Sequence, residues 1–127
     1  KYYSTKEKIH KNMIVSVGPV SEEIFKLSKR NFYHVNFHTL NNIPKKIFLE
    51  IFNNRKIKNI LFVEEHTVCG SFYNYYLLKC AEYKIKTKNI VNKHFNLKKL
   101  QKNGSYNYLR NTQGMSSSKI EKVIDML

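Results

Sequence analysis

The segment from Val63 to Gly70 holds the side chains best suited to chemistry in this 127-residue chain. Glu64, Glu65 and His66 follow an apolar run directly, and a carboxylate beside an imidazole can orient it for acid–base work or for contact with a phosphate. The same carboxylates could instead cap the next helix or pair across a domain interface. The spacing leaves both interpretations open.

Cysteine and histidine spacings elsewhere favour neither a metal site nor a disulfide. Cys69 and Cys80 have no C-x-x-C partner, and on one helix they would lie ~16 Å apart along the axis, beyond the ~7 Å that a disulfide allows. His34 and His38, on one face of a strand, would lie ~13 Å apart. A reducing compartment is the simpler interpretation, so we expect a cytoplasmic protein.

The net charge of +14 permits a nucleic-acid or membrane-surface partner. Tyrosines at positions 73, 75 and 76 could stack on bases, although such rings are more often core or interface residues. Twenty of the 23 basic residues are lysines spread along the whole chain, as in a lysine-rich composition. A basic nucleic-acid-binding domain and a free-standing regulatory subunit are therefore kept as alternative functions.

Apolar periodicity predicts the elements that must position these side chains. Strands are predicted where short apolar or alternating runs end at turn residues, at 7–10, 13–17, 33–37, 59–63 and 85–91. Helices are predicted where apolar residues recur at helical spacing, at 21–30, 44–52, 71–83 and 120–127, with shorter hints at 97–100 and 106–110. The alternation of strands and helices predicts an α/β fold with a mostly parallel sheet and helices on both faces.

Two serines are predicted to begin helices. Ser21 is the expected N-cap of the first helix, with Glu22 and Glu23 in its first turn, where the helix dipole favours negative charge. Ser118 and Glu121 have the spacing of a capping box at the last helix.

Three segments follow one another in the order of a known family. The first segment is the opening strand and turn MIVSVG, and the second is the run NILFVEEHTVCG from Asn59 to Gly70. The third is an ending marked by Gly104, Tyr108 and Gly114-Met115-Ser116. Together they resemble the C-terminal domain of transketolases, including split transketolases, and of 1-deoxyxylulose-5-phosphate synthase. The resemblance covers residues 13–127, and its most specific part is Val-Glu-Glu-His followed by a glycine turn.

The resemblance implies a single domain over residues 1–127, with 1–12 as a linker or edge strand from an upstream domain. It implies a three-layer sandwich with a five-stranded, mostly parallel sheet and one antiparallel edge strand. The parent enzyme would transfer a two-carbon ketol unit between sugar phosphates as a homodimer, using thiamine diphosphate and Mg²⁺ or Ca²⁺. In this family the cofactor lies between two other domains, and Gly-Asp-Gly, the family's metal motif, does not occur in this chain.

The resemblance therefore implies no catalytic residue, no metal ligand and no bound cofactor in this domain, which alone would be inactive. Its expected partners are the cofactor-binding and middle domains, on the same chain or on a separate subunit. Glu64, Glu65, His66 and Gly70 are the candidates for a domain interface or for the substrate entrance.

The chain departs from the family at two places. Ser71 and Tyr73 stand where the family has further glycines after Gly70. The Lys-Pro-Leu-Asp that often precedes the second helix is replaced by Asn41-Asn42-Ile43-Pro44, so the proline has moved and the acid is missing. Both departures indicate a diverged member of the family.

Overall fold

The computed structural model describes residues 2–4, 10–27, 31–38, 43–67, 69–94, 96 and 104–127. Its elements, in chain order, are β1 (Tyr2–Ser4), β2 (Asn12–Val17), α1 (Ser21–Phe25), β3 (Tyr33–Phe37), α2 (Lys45–Phe52), β4 (Asn59–Glu64), α3 (Phe72–Glu82), β5 (Asn89–Lys93), α4 (Tyr106–Thr112) and α5 (Ser117–Asp125). The strand predicted at 7–10 falls largely outside the described residues, and the helical hint at 97–100 falls wholly outside them.

The five strands form one sheet in the order β1-β3-β2-β4-β5. β2, β3, β4 and β5 are parallel, and β1 runs antiparallel to β3 along one edge. The predicted α/β fold, mostly parallel with an antiparallel edge strand, is confirmed. The chain moves from β2 outward to β3 and then crosses back to β4, so the direction of winding reverses between β2 and β4.

Helices cover both faces of the sheet because the central strands bury side chains on both sides. All six residues of β2 and all six of β4 are buried. On one face, Val15 and Phe62 pack with α2 and α3. On the other face, Ile14 and Leu61 pack with residues of α1 and α5, among them Ile24 and Ile120.

Aromatic rings fill the layer beneath α2 and α3. The ring centroids of Phe48 and Phe52 lie 4.7 Å apart, and Tyr76 lies 5.0 Å from Phe52 and 5.2 Å from Phe62. These separations are typical of favourable edge and tilted ring contacts. The helical stripe predicted in α2 is therefore the centre of the larger core.

An amide ladder crosses the amino ends of the parallel strands. Asn59 Nδ2 donates to Asn12 Oδ1 at 2.7 Å and to the backbone oxygen of Leu127 at 3.1 Å. Asn89 Nδ2 donates to Asn59 Oδ1 at 3.1 Å. The three asparagines are paired in register across β2, β4 and β5, so a slip of one residue would break the ladder.

Three local predictions are wrong. Ser21 does not cap α1, because the turn begins earlier, with Ser21 N donating to the Gly18 oxygen, and Val20 takes the cap position. Ser118 forms no capping box, because it lies inside α5, whose N-cap is Ser116. The last strand occupies Asn89–Lys93 rather than 85–91, after a turn in which Lys84 adopts a positive φ of 54°.

A polar trio is buried between β2 and β3. The Ser16 hydroxyl donates to Asn36 Oδ1 at 3.0 Å and lies 2.8 Å from His34 Nε2. All three residues are at most 3% exposed. Because the single hydroxyl proton goes to Asn36, the histidine must donate to Ser16 through Nε2.

Replacing Ser16 with alanine tests this trio. Ser16→Ala leaves buried groups of Asn36 and His34 without the hydroxyl, so we expect the free energy of unfolding to fall by ~1–3 kcal/mol in urea denaturation. Ser118→Ala, on the exposed surface of α5, is the control and should change it by less than ~0.5 kcal/mol. Equal effects of the two variants would contradict the assigned contacts.

Candidate functional site

The predicted site residues lie at the carboxyl ends of β2 and β4, where the winding of the sheet reverses. Glu64 is the last residue of β4 and is paired in register with Val17, the last residue of β2. Gly18, with φ of +84°, turns the chain from β2 toward α1. Open α/β sheets usually bind ligands in the crevice at such a position.

Glu64 is fully buried and serves as a cap for α3. Its two carboxylate oxygens accept hydrogen bonds from the backbone N–H groups of Phe72 at 2.6 Å and Tyr73 at 3.0 Å. The Ser71 hydroxyl accepts from the backbone N–H of Asn74 at 3.3 Å, so the first turn of α3 is satisfied by two side chains. Of the two interpretations left open by the sequence, helix capping describes Glu64.

Burial raises the pKa of Glu64 above its ordinary value. The hydrogen bonds from Phe72 and Tyr73 and the nearby His66 and His94 act in the opposite direction without cancelling the effect of burial. At 0% exposure the carboxylate offers no surface to another domain. The expectation that Glu64 contacts a neighbouring domain therefore does not fit its position.

Glu65 binds side chains of α4. Its Oε1 accepts from Arg110 Nε at 2.9 Å and from the Tyr106 hydroxyl at 2.6 Å. The Arg110 guanidinium also lies over the Tyr106 ring, with Cζ 4.2 Å from the ring centroid, and its Nη2 donates to the Tyr106 hydroxyl. Glu65 is thus oriented by α4 and does not serve to orient His66.

Arg110 also reaches the start of α1. Its Nη1 lies 3.2 Å from Glu23 Oε1, and the Arg110 side chain is only 4% exposed. The other oxygen of Glu23 accepts from the backbone N–H of Ser117 at 2.9 Å, in the first turn of α5. Lys26 Nζ completes the group at 2.6 Å from Glu23 Oε1. One arginine therefore bridges the segments that follow β2 and β4.

This ionic group, made of Glu23, Glu65, Tyr106 and Arg110 and called here the Arg110 cluster, was missed from sequence. Its partners are up to 87 residues apart, so no local pattern joins them. One signal was present, because only three of the 23 basic residues are arginines. Arginine is the residue preferred for buried, multiply bonded ion pairs.

The remaining candidates lie on the loop that leads from β4 to α3. His66 and Gly70 are exposed, and so is Cys69 between them. Gly70 adopts φ of +81° and has open space where a Cβ would lie, so the glycine is required by backbone conformation and not by a close neighbour. The structure therefore leaves His66 and Gly70 exposed on the loop that follows Glu65.

The tyrosines and cysteines considered in the sequence analysis do not form a binding or metal site among the described residues. Tyr76 is fully buried, and Tyr73 and Tyr75 are partly buried against the larger core, so these rings offer less surface for stacking on bases than the nucleic-acid alternative needs. Cys69 and Cys80 are both free thiols. Among the residues that the structure describes, no group of three His, Cys, Asp or Glu side chains could hold a metal ion. Nor does any described helix have the length and apolar composition to cross a membrane.

No protein-family model and no curated protein matches this sequence. Among solved structures, the chain is similar to a split-gene transketolase described as an inactive β4 tetramer, with a TM-score of 0.75 and 15% sequence identity. The match covers 98% of this chain and 41% of that chain, so this chain spans less than half of that protein's length. At this identity the likeness shows a shared fold, and this is the fold that the sequence resemblance implied.

Removing the arginine tests the Arg110 cluster. Arg110→Met leaves Glu23 and Glu65 nearly buried without their shared cation, so we expect a loss of ~3–5 kcal/mol in the free energy of unfolding. The triple variant that also carries Glu23→Gln and Glu65→Gln should recover part of this loss. Lys122→Met, at an exposed position of α5, is the control. Equal losses in Arg110→Met and Lys122→Met, measured in urea, would contradict the bridging role.

The pKa of Glu23 gives a test that depends on pH. Burial by itself raises this pKa, but the hydrogen bonds from Lys26 and Ser117 and the charge of Arg110 hold it below the ordinary value of 4.5. Such a group stabilises the fold above its unfolded pKa, and that contribution is lost as the pH falls through the folded-state pKa. We expect Glu23→Gln to cost ~1–3 kcal/mol at neutral pH, with the difference from wild type shrinking below pH 4.5. If the difference in the free energy of unfolding between wild type and Glu23→Gln did not change with pH, the lowered pKa of Glu23 would be contradicted.

Proposed function

We propose that this chain is the C-terminal domain of a thiamine-diphosphate-dependent, transketolase-like transferase of carbohydrate metabolism. The parent would move a two-carbon ketol unit between sugar phosphates. The observation that carries the proposal is the fold shared with a split-gene transketolase over 98% of this chain. The run from Asn59 to Gly70, which resembles the family's signature, adds independent support from the sequence.

Within this enzyme the domain has a structural role and not a catalytic one. The two carboxylates at the end of β4 are engaged inside the chain, Glu64 with α3 and Glu65 with Arg110. A general base must be within reach of a substrate proton, and the buried Glu64 is not. The described residues therefore fit a support for chemistry that other domains perform.

The surface proposed to meet those domains is the loop formed by Glu65, His66, Thr67, Cys69 and Gly70, called here the entrance loop. It projects from the carboxyl end of the sheet, and the Arg110 cluster fixes its first residue. The partners would be the cofactor-binding and middle domains, on the same chain or in separate subunits that assemble further, and the complete enzyme would be a homodimer. Glu64 is buried beneath this surface, where it caps α3. Glu65, His66 and Gly70 remain candidates for the interface.

Thiamine diphosphate and Mg²⁺ or Ca²⁺ are assigned to the other domains of the parent. The residues described here do not fit that cofactor, since they include no cluster of metal-ligating side chains, and the sequence has no Gly-Asp-Gly. No step of the reaction is therefore assigned to this chain. When bound elsewhere in the enzyme, the cofactor would supply the carbanion chemistry of ketol transfer.

The direct experiment measures ketol transfer between sugar phosphates by the complete assembly that contains this chain. We expect activity that requires thiamine diphosphate and a divalent cation, and none from this chain alone. Added thiamine diphosphate and Mg²⁺ should shift the thermal unfolding of the isolated chain no more than inorganic diphosphate and Mg²⁺ do, because a cofactor body that does not bind shifts no equilibrium. A complete assembly without ketol transfer would overturn the proposal, and so would a thermal shift of this chain with thiamine diphosphate that inorganic diphosphate does not reproduce.

The two cysteines provide an internal test of the entrance loop. Cys69 is exposed on the loop, whereas Cys80 is 2% exposed and burial raises its pKa. Thiolates are the reactive form, so in the isolated chain a maleimide should label Cys69 much faster than Cys80. In the complete assembly we expect Cys69 to become protected, with Cys80 as the internal standard. Labelling of Cys69 at an equal rate in both states would exclude the loop from the interface.

A further inference from the structure

A basic cavity lies at the end of the sheet opposite to the entrance loop. Its volume is about 230 Å³, and it is lined by Ile57, Lys58, Lys86, Thr87, Lys88 and Asn89. The cavity has no part in the proposed transketolase role. We name it the lysine cavity.

Parallel pairing brings the lysines together. Lys58 immediately precedes β4, and Lys86 and Lys88 precede β5. Asn59 and Asn89 are paired in register, and the backbone N–H of Asn89 donates to the Lys58 oxygen at 3.0 Å. The two lysine-bearing segments are thus fixed side by side at the amino ends of adjacent strands.

One of the lysines is held in place by the chain itself. Lys88 Nζ donates to the backbone oxygen of Asn54 at 3.1 Å, and its backbone N–H points to the Tyr76 hydroxyl at 3.4 Å. An ammonium group has three donors, so this contact leaves Lys88 with further donors to offer. A partly fixed ammonium loses less conformational entropy when it binds a ligand than a free surface lysine does.

The positive charge of the cavity is not neutralised by the described part of the chain. Within that part, the ion pairs join Lys26, Lys79 and Arg110 to glutamates, and none involves the three cavity lysines. Burial lowers the pKa of Lys88, and the neighbouring charges of Lys58 and Lys86 lower it further. Like charges gathered without a counter-ion are the arrangement that an anion stabilises.

We propose that the lysine cavity is a binding site for a phosphate group, either inorganic phosphate or the phosphate end of a small phosphorylated molecule. Ammonium groups and the Thr87 hydroxyl are donors suited to phosphate oxygens. The volume favours a small ligand, because pockets for drug-sized molecules measure ~300–1,000 Å³. About 230 Å³ is room enough for a single phosphate with a short body, and because Lys58, Lys86 and Thr87 are exposed, a longer ligand would extend into solvent.

The test is a titration of the full chain with inorganic phosphate, followed by the amide NMR signals of residues 86–89, with chloride adjusted to keep the ionic strength constant. We expect saturable shifts confined to the cavity. Lys58→Gln with Lys86→Gln should weaken binding by roughly tenfold or more, since each lost partner is a charged hydrogen-bond donor. Lys46→Gln with Lys122→Gln removes the same charge from exposed sites on α2 and α5 and should leave the affinity within about twofold.

Two outcomes would overturn the proposal. In the first, phosphate shifts the wild-type amide signals no more than chloride does. In the second, both double variants weaken binding equally, which would mean diffuse attraction to the net charge of +14. A parallel titration with a short single-stranded oligonucleotide distinguishes the source of the phosphate. Oligonucleotide binding that depends on Lys58 and Lys86, without binding of free phosphate, would replace the small-ligand site with a nucleic-acid site.

Discussion

The bridge made by Arg110 is the constraint on which the arrangement of this domain depends. Its guanidinium joins Glu23 at the start of α1 to Glu65 after β4, while its own backbone lies in α4. Glu23 in turn accepts from the backbone of Ser117, at the first turn of α5. Buried charges are costly unless they are paired and hydrogen-bonded. The positions of α4 and α5 are therefore favoured in which all these ion pairs and hydrogen bonds form together.

The same bridge engages the acidic groups that follow β2 and β4. In many doubly wound sheets, the crevice between the two central strands receives a ligand. Here Arg110 spans the segments that follow those strands, and Glu64 is directed at the first turn of α3. Glu64 and Glu65, the acidic candidates of the sequence, thus have structural roles. The accessible part of this region is the rest of the entrance loop, which follows them.

Much of the fold could be predicted, because the signals for it are local. The apolar run of β4 and the stripe of Phe48, Ile51 and Phe52 in α2 are periodic patterns that packing obeys. The capping role of Glu64 could be stated only as one of two alternatives, since spacing does not show where a carboxylate points. The Arg110 cluster could not be predicted from sequence. Glu65 precedes Arg110 by 45 positions and Glu23 precedes it by 87, so the three meet only in the folded chain.

The local errors also have a physical origin. A serine followed by two glutamates has the composition of a helix start, but the turn at Gly18 and Pro19 begins the helical bonding before Ser21 is reached. At the last helix, Ser116, Ser117 and Ser118 are chemically equal candidates for the cap, and only the preceding turn selects Ser116. The N-cap position depends on the backbone conformation of the turn that precedes the helix, and residue composition does not determine that conformation.

The two ends of the sheet differ in how their charges are balanced. At the carboxyl end, Glu23 and Glu65 neutralise Arg110 and Lys26 within the chain. At the amino end, uncharged asparagines form the ladder, and the lysines beside it form no ion pair with the described residues. The lysines at the amino end therefore form a local patch of positive charge that the described part of the chain does not pair with acids. Such a patch would attract a negatively charged group over about a Debye length, so added salt would shorten the distance over which the domain senses that group.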